Sequence, residues 1–187
     1  MPAENEFFAE NTTIEILPSF KGDKLEFVTG TFGPFKPAKP VVVPIWLAIY
    51  LKQRNKCDVQ VPSWLDPEFL TRVRQEERDL KDKFSDAIPY YYFEIAHLLL
   101  TNCESDFKEP NKVKSLLEDI QETRKEKLLK IIRNIEPETP VKHLSRAGAQ
   151  ELNTMRPACQ AAYAVINKMQ TIKEQAQAAD EAGYQND

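Results

Sequence analysis

The order of apolar and polar positions changes character near Pro62. Before it, "TTIEILP" at 12–18 alternates β-branched and polar residues, "KLEFVTG" does so again after Lys21-Gly22-Asp23, and "VVV" at 41–43 is a third short run. Period-two alternation bounded by Gly, Pro and Asp predicts short, half-buried strands. Pro44 suits the first position of a helix, "PIWLAIYLKQR", and "DVQVP" predicts a last strand before Pro62. A β-rich unit of residues 1–61 is marginal by itself and is expected to lean on something.

From Pro62 onward the apolar residues recur at helical spacing. "LDPEFLTRVRQEERDLKDKF" places Asp66 at an N-cap, Pro67 at the first helical position, and a narrow stripe of Phe69, Val73, Leu80 and Phe84. "PYYYFEIAHLLLTNC" is apolar almost all round, which predicts the central helix. "PNKVKSLLEDIQETRKEKLLKIIRNI" carries Val113, Leu117, Ile120, Leu128, Ile131, Ile132 and Ile135 on one face. After the breaker "EPETPVKHLS", Ser145 is placed at the start of a short turn. Asn153 or Thr154 is placed at the start of a final helix through about Ile172, with Pro157 in its first turn. The expected architecture is α+β and mainly helical: a small β-rich domain at 1–61, a helical bundle at 62–172, and a disordered tail at 173–187.

Composition adds constraints. The 187 residues include 42% hydrophobic and 29% charged side chains, ordinary for a globular chain. Cys57, Cys103 and Cys159 form no C-x-x-C pair, so free thiols are expected. The acidic start "MPAENEFFAE" has no apolar signal core, and the apolar block Tyr90–Leu100 falls short of the ~20 residues that span a bilayer. A net charge of −4 does not announce nucleic acid. Residues 33–56 nonetheless carry only basic charges, with Lys52, Arg54 and Lys56 at a helix end, where they complement the helix dipole or meet DNA or an acidic partner.

Catalytic patterns are scarce. Glu94-x-x-His97 puts a carboxylate and an imidazole on one helical face. A di-iron bundle needs two such motifs and further glutamates, and the chain has two histidines in all, so a packed, hydrogen-bonded His97 is expected and no metal. No G-x-S-x-G is present, five glycines exclude a phosphate-cradling loop, and Gly30-x-x-Gly33 reads as a turn. Arg124 stands out because it lies on the apolar stripe of the long helix, between Ile120 and Leu128. Either its stem lies along the core while its head reaches water, or the stripe meets another helix, in this chain or a different one, where the guanidinium pairs with a carboxylate.

The residues from Gly33 to Cys57, "GPFKPAKPVVVPIWLAIYLKQRNKC", closely resemble the signature of the Psf-two family of subunits of GINS, the four-subunit eukaryotic DNA replication complex. The likeness continues through "VPSWLD" at 61–66, "PYYYFEIAHLLL", "DIQETRKEKL" and "ELNT" at 151–154, and runs from Phe7 to Met169. "LSRAGAQELN", with Gly148, departs from the family pattern.

The resemblance implies a non-catalytic nuclear scaffold, without cofactor or small-molecule substrate, that packs against the other three GINS subunits. Through that complex it joins the MCM helicase ring, the Cdc-forty-five protein and the leading-strand polymerase, with any DNA contact indirect. The rival readings are an independent DNA-binding module using residues 33–56 and a generic helical adaptor. Phe69, Val73, Arg124, Leu128 and Ile131 are the candidate subunit-interface residues. Phe35, Lys36 and Lys39 are the candidate contacts to a partner or DNA.

Overall fold

The computed structural model describes residues 2–80, 83–133 and 146–183. The expected breaker and the Ser145 turn lie outside the described residues.

The chain opens with helix α1 (Pro2–Glu10), which the alternation did not announce. It then forms β1 (Thr13–Pro18), a hairpin of β2 (Leu25–Phe27) and β3 (Gly30–Phe32), and β4 (Val41–Pro44). Helix α2 (Ile45–Gln53) and β5 (Cys57–Val59) complete the small unit. β1 is the centre of a three-stranded antiparallel sheet of order β4-β1-β5, with Ile14 opposite Val43 and Ile16 opposite Val59. The hairpin is a separate sheet, folded so that Phe27 and Phe32 meet Trp46 of α2 edge-on at 5.1 and 6.4 Å. Pro44 caps α2 from outside rather than opening it.

Both edges of the three-stranded sheet are closed to further strands. Ile45 donates its N–H to the Thr12 carbonyl at 2.9 Å, so by alternation Val43 and Val41 also face β1 while Pro44, Val42 and Pro40 face outward. Two of those three residues have no N–H to offer. On the other edge the outward Val59 N–H is taken by Asp106 Oδ2 at 2.9 Å. The spaced prolines therefore blunt an edge as well as shaping a loop.

Among the described residues four α-helices follow: α3 (Pro67–Asp79), α4 (Tyr92–Asn102), α5 (Pro110–Arg133) and α6 (Ala149–Gly183). α3 starts as expected, with Asp66 accepting from the Glu68 N–H at 3.1 Å, but it ends at Asp79. Phe84 is therefore buried from the connecting segment rather than from the helix. α6 departs most. It begins at Ala149, because Glu151 reaches back to accept the Gly148 N–H at 2.7 Å while Ala149 donates to the Tyr90 carbonyl at 3.0 Å. Pro157 is thus interior to the helix, and α6 continues through Gly183, so residues 173–183 are helical where a disordered tail was expected.

One core spans both parts. Ile16, Val43 and Leu47 of the small unit are buried in the same cluster as Leu70, Ile95, Leu99, Val113 and Ile120 of the helices. What the small unit leans on is the bundle of its own chain. A second, smaller cluster of Phe84, Leu128, Ala147 and Met155 lies at the α5–α6 end. The cysteines are unpaired, and burial pushes the Cys57 and Cys103 thiols up to about 11.

Candidate functional site, a closed buried ion cluster

The charged groups with the least access to water meet where α3, α5 and the start of α6 converge. α5 carries Arg124 and Lys127 one turn apart, α3 supplies Glu77 from its last turn, and the first turn of α6 supplies Glu151. Arg124 is 1% exposed and Glu77 fully buried. Arg124 Nη1 donates to Glu77 Oε1 at 2.6 Å, and Nε and Nη2 donate to the two oxygens of Glu151 at 2.8 and 3.3 Å. Nη2 also reaches the Arg146 carbonyl at 2.6 Å, and Nη1 faces the Ser85 carbonyl at 3.5 Å. Each of the five guanidinium N–H groups thus has an acceptor.

The remaining groups close the ring. Lys127 Nζ donates to Glu77 Oε2 and to the Lys83 carbonyl at 3.0 Å, and Ser85 donates its N–H to Glu77 Oε1 at 2.9 Å. Tyr92 Oη donates to Glu151 Oε1 at 2.6 Å. Phe84 and Tyr92 lie against the guanidinium, with ring centroids 4.8 and 5.6 Å from its carbon. Burial works against the Arg124 charge, but Glu151 and Glu77 outweigh it and hold its pKa above the ordinary value. Burial, then Glu151, pushes the Tyr92 phenol far up, so it serves as a donor. Two cations and two carboxylates balance, which suits a structural joint and leaves no reactive group free.

One expectation for Arg124 needs correction: its head does not reach water. The other holds within this chain, where the guanidinium pairs with Glu77 of α3 and Glu151 of α6, so Arg124 is engaged inside the subunit rather than exposed as a subunit contact. Val73 and Leu128 are buried at 2% and 1% exposure and likewise belong to the interior. Phe69 and Ile131 are only partly buried and stay available. Phe35, taken as an outward contact, is a core residue stacked on Phe20 with ring centroids 5.2 Å apart. Lys36 and Lys39 beside it are exposed.

A second polar cluster ties α1 to the bundle. Asn5 donates to Glu94 Oε1 at 2.9 Å and accepts from Asn153 Nδ2 at 2.9 Å, so one α1 side chain bridges α4 and α6. Asn153 is therefore a contact within α6 and not its cap. Glu94 Oε2 is buried without a partner, and burial holds the carboxyl above its usual range despite the Asn5 bond. His97 is exposed and stacks on Phe93 instead of being buried and hydrogen-bonded. Among the described residues no group of three His, Cys, Asp or Glu side chains could hold a metal ion.

Lys52, read as a helix-end charge, is a clamp between the two parts of the chain. Its Nζ lies 2.6 Å from Asp106 Oδ1 and 3.0 Å from Asp58 Oδ1. Gln53 donates to Asn102 beside it at 3.1 Å. Arg54 folds back over the Tyr50 ring at 3.9 Å. Sequence spacing could not pair Lys52 with Asp106, 54 positions away.

Large apolar residues are left in water at several places, Phe7 and Phe8 of α1 among them, and three of them line up along α6. Val165, Met169 and Ile172, at spacings of four and three, are 60%, 59% and 56% exposed. No helix of the described residues is long and apolar enough to cross a membrane.

Comparison with known proteins bears on the whole length. The PSF2 N-terminal domain model matches residues 1–60, and the GINS complex protein helical bundle domain model matches residues 64–170. The DNA replication complex GINS protein PSF2 of Homo sapiens is 40% identical over 126 residues, 67% of this chain and 68% of the human one. The Schizosaccharomyces pombe protein of the same description is 35% identical over 159 residues, 83% of each chain. The Debaryomyces hansenii protein is 30% identical over 188 residues, covering 100% of this chain and 88% of its own. With a family model over more than half its length and relatives at this identity and coverage, the chain belongs to the PSF2 family of GINS proteins.

Proposed function

We propose that this chain is a non-catalytic scaffold subunit of a heterotetrameric GINS complex in the nucleus. It holds the other three GINS subunits, and through them the MCM ring, the Cdc-forty-five protein and the leading-strand polymerase, in the geometry that initiates and elongates DNA replication. The observation that carries the reading is the stripe of Val165, Met169 and Ile172. A helix of 35 residues, about 52 Å at 1.5 Å per residue, presents three large apolar side chains in register to water. Such a stripe on a charged helix fits a facing helix of another chain.

The closed ion cluster supports the same reading, since it fixes the root of α6 on α3 and α5 and so aims the stripe. Phe69 and Ile131 are secondary interface candidates. Lys36 and Lys39, on the loop before β4, are the candidates for contact with a partner or with DNA. Co-expression tests the assignment. With the other three GINS subunits the chain is expected to elute as one four-component species in size-exclusion chromatography. A chain that stays monodisperse alone and ignores the other three would overturn it.

A further inference from the structure

A groove of about 580 Å³ runs along the junction where β5 passes into α3, facing the turn that leads into α5. Its floor is apolar: Val61, Leu65, Phe69, Phe107 and Val113. Leu65, Phe107 and Val113 belong to the main core, and Val61 and Phe69 pack against it, so the floor is part of the folded interior. One wall is fixed by Asp106, which is held by Lys52 at 2.6 Å and by the Val59 N–H at 2.9 Å.

Charge selects the occupant. Each carboxylate lining the groove is already engaged: Asp106 as above, Asp66 with the Glu68 N–H at 3.1 Å, and Glu109 with Lys112 at 3.2 Å. Arg72 and Lys108 are exposed on the rim and have no carboxylate partner among the described residues, Arg72 lying over the Phe69 ring at 5.4 Å. We propose that this groove is a docking site for a short, acidic linear segment of a partner protein, with carboxylates on Arg72 and Lys108 and an aromatic or leucine side chain on the partly exposed Val61 and Phe69. Addition of a strand is not the mode, because Asp106 closes the β5 edge at Val59. The N-terminus of α3 is not a free anion site, because Asp66 caps it.

The test is selection from a displayed library of random linear peptides on the immobilised 187-residue chain, with counter-selection on the Arg72→Glu, Lys108→Glu variant. Both substitutions are at exposed positions, and an unchanged melting temperature verifies the fold. Enriched peptides are expected to carry acids around an aromatic or leucine residue, to bind the parent at least about tenfold more tightly than the variant, and to weaken with salt. Failure to enrich any peptide, enrichment of non-acidic peptides, or equal binding to parent and variant would overturn the proposal.

Discussion

Arg124 Nε and Glu151 Oε1 lie 2.8 Å apart, joining the middle of α5 to the first turn of α6 across 27 residues of chain. The same carboxylate accepts the Gly148 N–H through its other oxygen and the Tyr92 hydroxyl through Oε1. One glutamate thus begins α6 and pins it to the bundle.

Removing Arg124 leaves Glu77 and Glu151 buried with only part of their compensation. Arg124→Ala is expected to cost about 3 to 5 kcal/mol, the range for breaking a buried pair from one side. Thermal unfolding followed by circular dichroism should show a midpoint lower by roughly 6 to 20 °C. A midpoint within a degree or two of the parent's would mean that the cluster contributes little.

Gly148 has no room for a side chain. A Cβ there would sit 2.9 Å from Tyr92 Cε1 and 3.3 Å from the Tyr90 carbonyl oxygen, a fixed backbone atom. Gly148→Ala is expected to destabilise by about 1 to 3 kcal/mol, the usual cost of overpacking. Chemical denaturation reads this as a lower midpoint at unchanged slope.

Glu94 sets a pH dependence of opposite sign to the common carboxylate case. Its folded pKa is raised, chiefly by burial, so the folded state binds its proton more tightly than the unfolded chain. Its contribution is fully present below the ordinary glutamate pKa and is lost as pH rises through the raised value. Glu94→Gln keeps an acceptor for Asn5 and removes the charge. It is expected to gain stability over the parent at neutral pH, with the difference shrinking as pH falls. A gain that is constant with pH would show that ionisation of Glu94 is not the cause.

Asp106 holds both the Lys52 ammonium and the outward Val59 N–H. Asp106→Ala should free that amide, and hydrogen exchange at Val59 is expected to accelerate about tenfold or more, as loss of a hydrogen bond to a charged group implies. Exchange at Ile120 in α5 should stay as in the parent.

What could be read from sequence followed from local pattern. Asp66-Pro67 marked the start of α3, and the stripe of Val113, Leu117 and Ile120 marked α5, because caps and periodicity act within a few residues. Arg124 was legible as an anomaly on that stripe. Its partners were not, since Glu77 is 47 residues away and pairing at that distance is set by how α3 and α5 pack. Phe35 followed Gly33-Pro34 in a basic loop and looked outward, yet Phe20 covers it. The start of α6 was misplaced because Asn153 and Thr154 are good caps in isolation. In the fold Asn153 serves Asn5, Thr154 bonds back to the Gln150 carbonyl at 2.8 Å, and Glu151 does the capping.

The proposed scaffold role needs a face that holds the other subunits, and we assign that face to the exposed α6 stripe of Val165, Met169 and Ile172. The direct measurement is sedimentation velocity of the four co-expressed GINS subunits, with this chain carrying Val165→Ser, Met169→Ser and Ile172→Ser. Because these side chains are exposed in the chain alone, the variant should keep the parent's helicity and melting temperature. Its assembly should weaken about a hundredfold or more, from the apolar burial that three such side chains supply, leaving it outside the four-subunit boundary. A variant that sediments within the complex at the parent's yield would contradict the assignment of α6 as the assembling face.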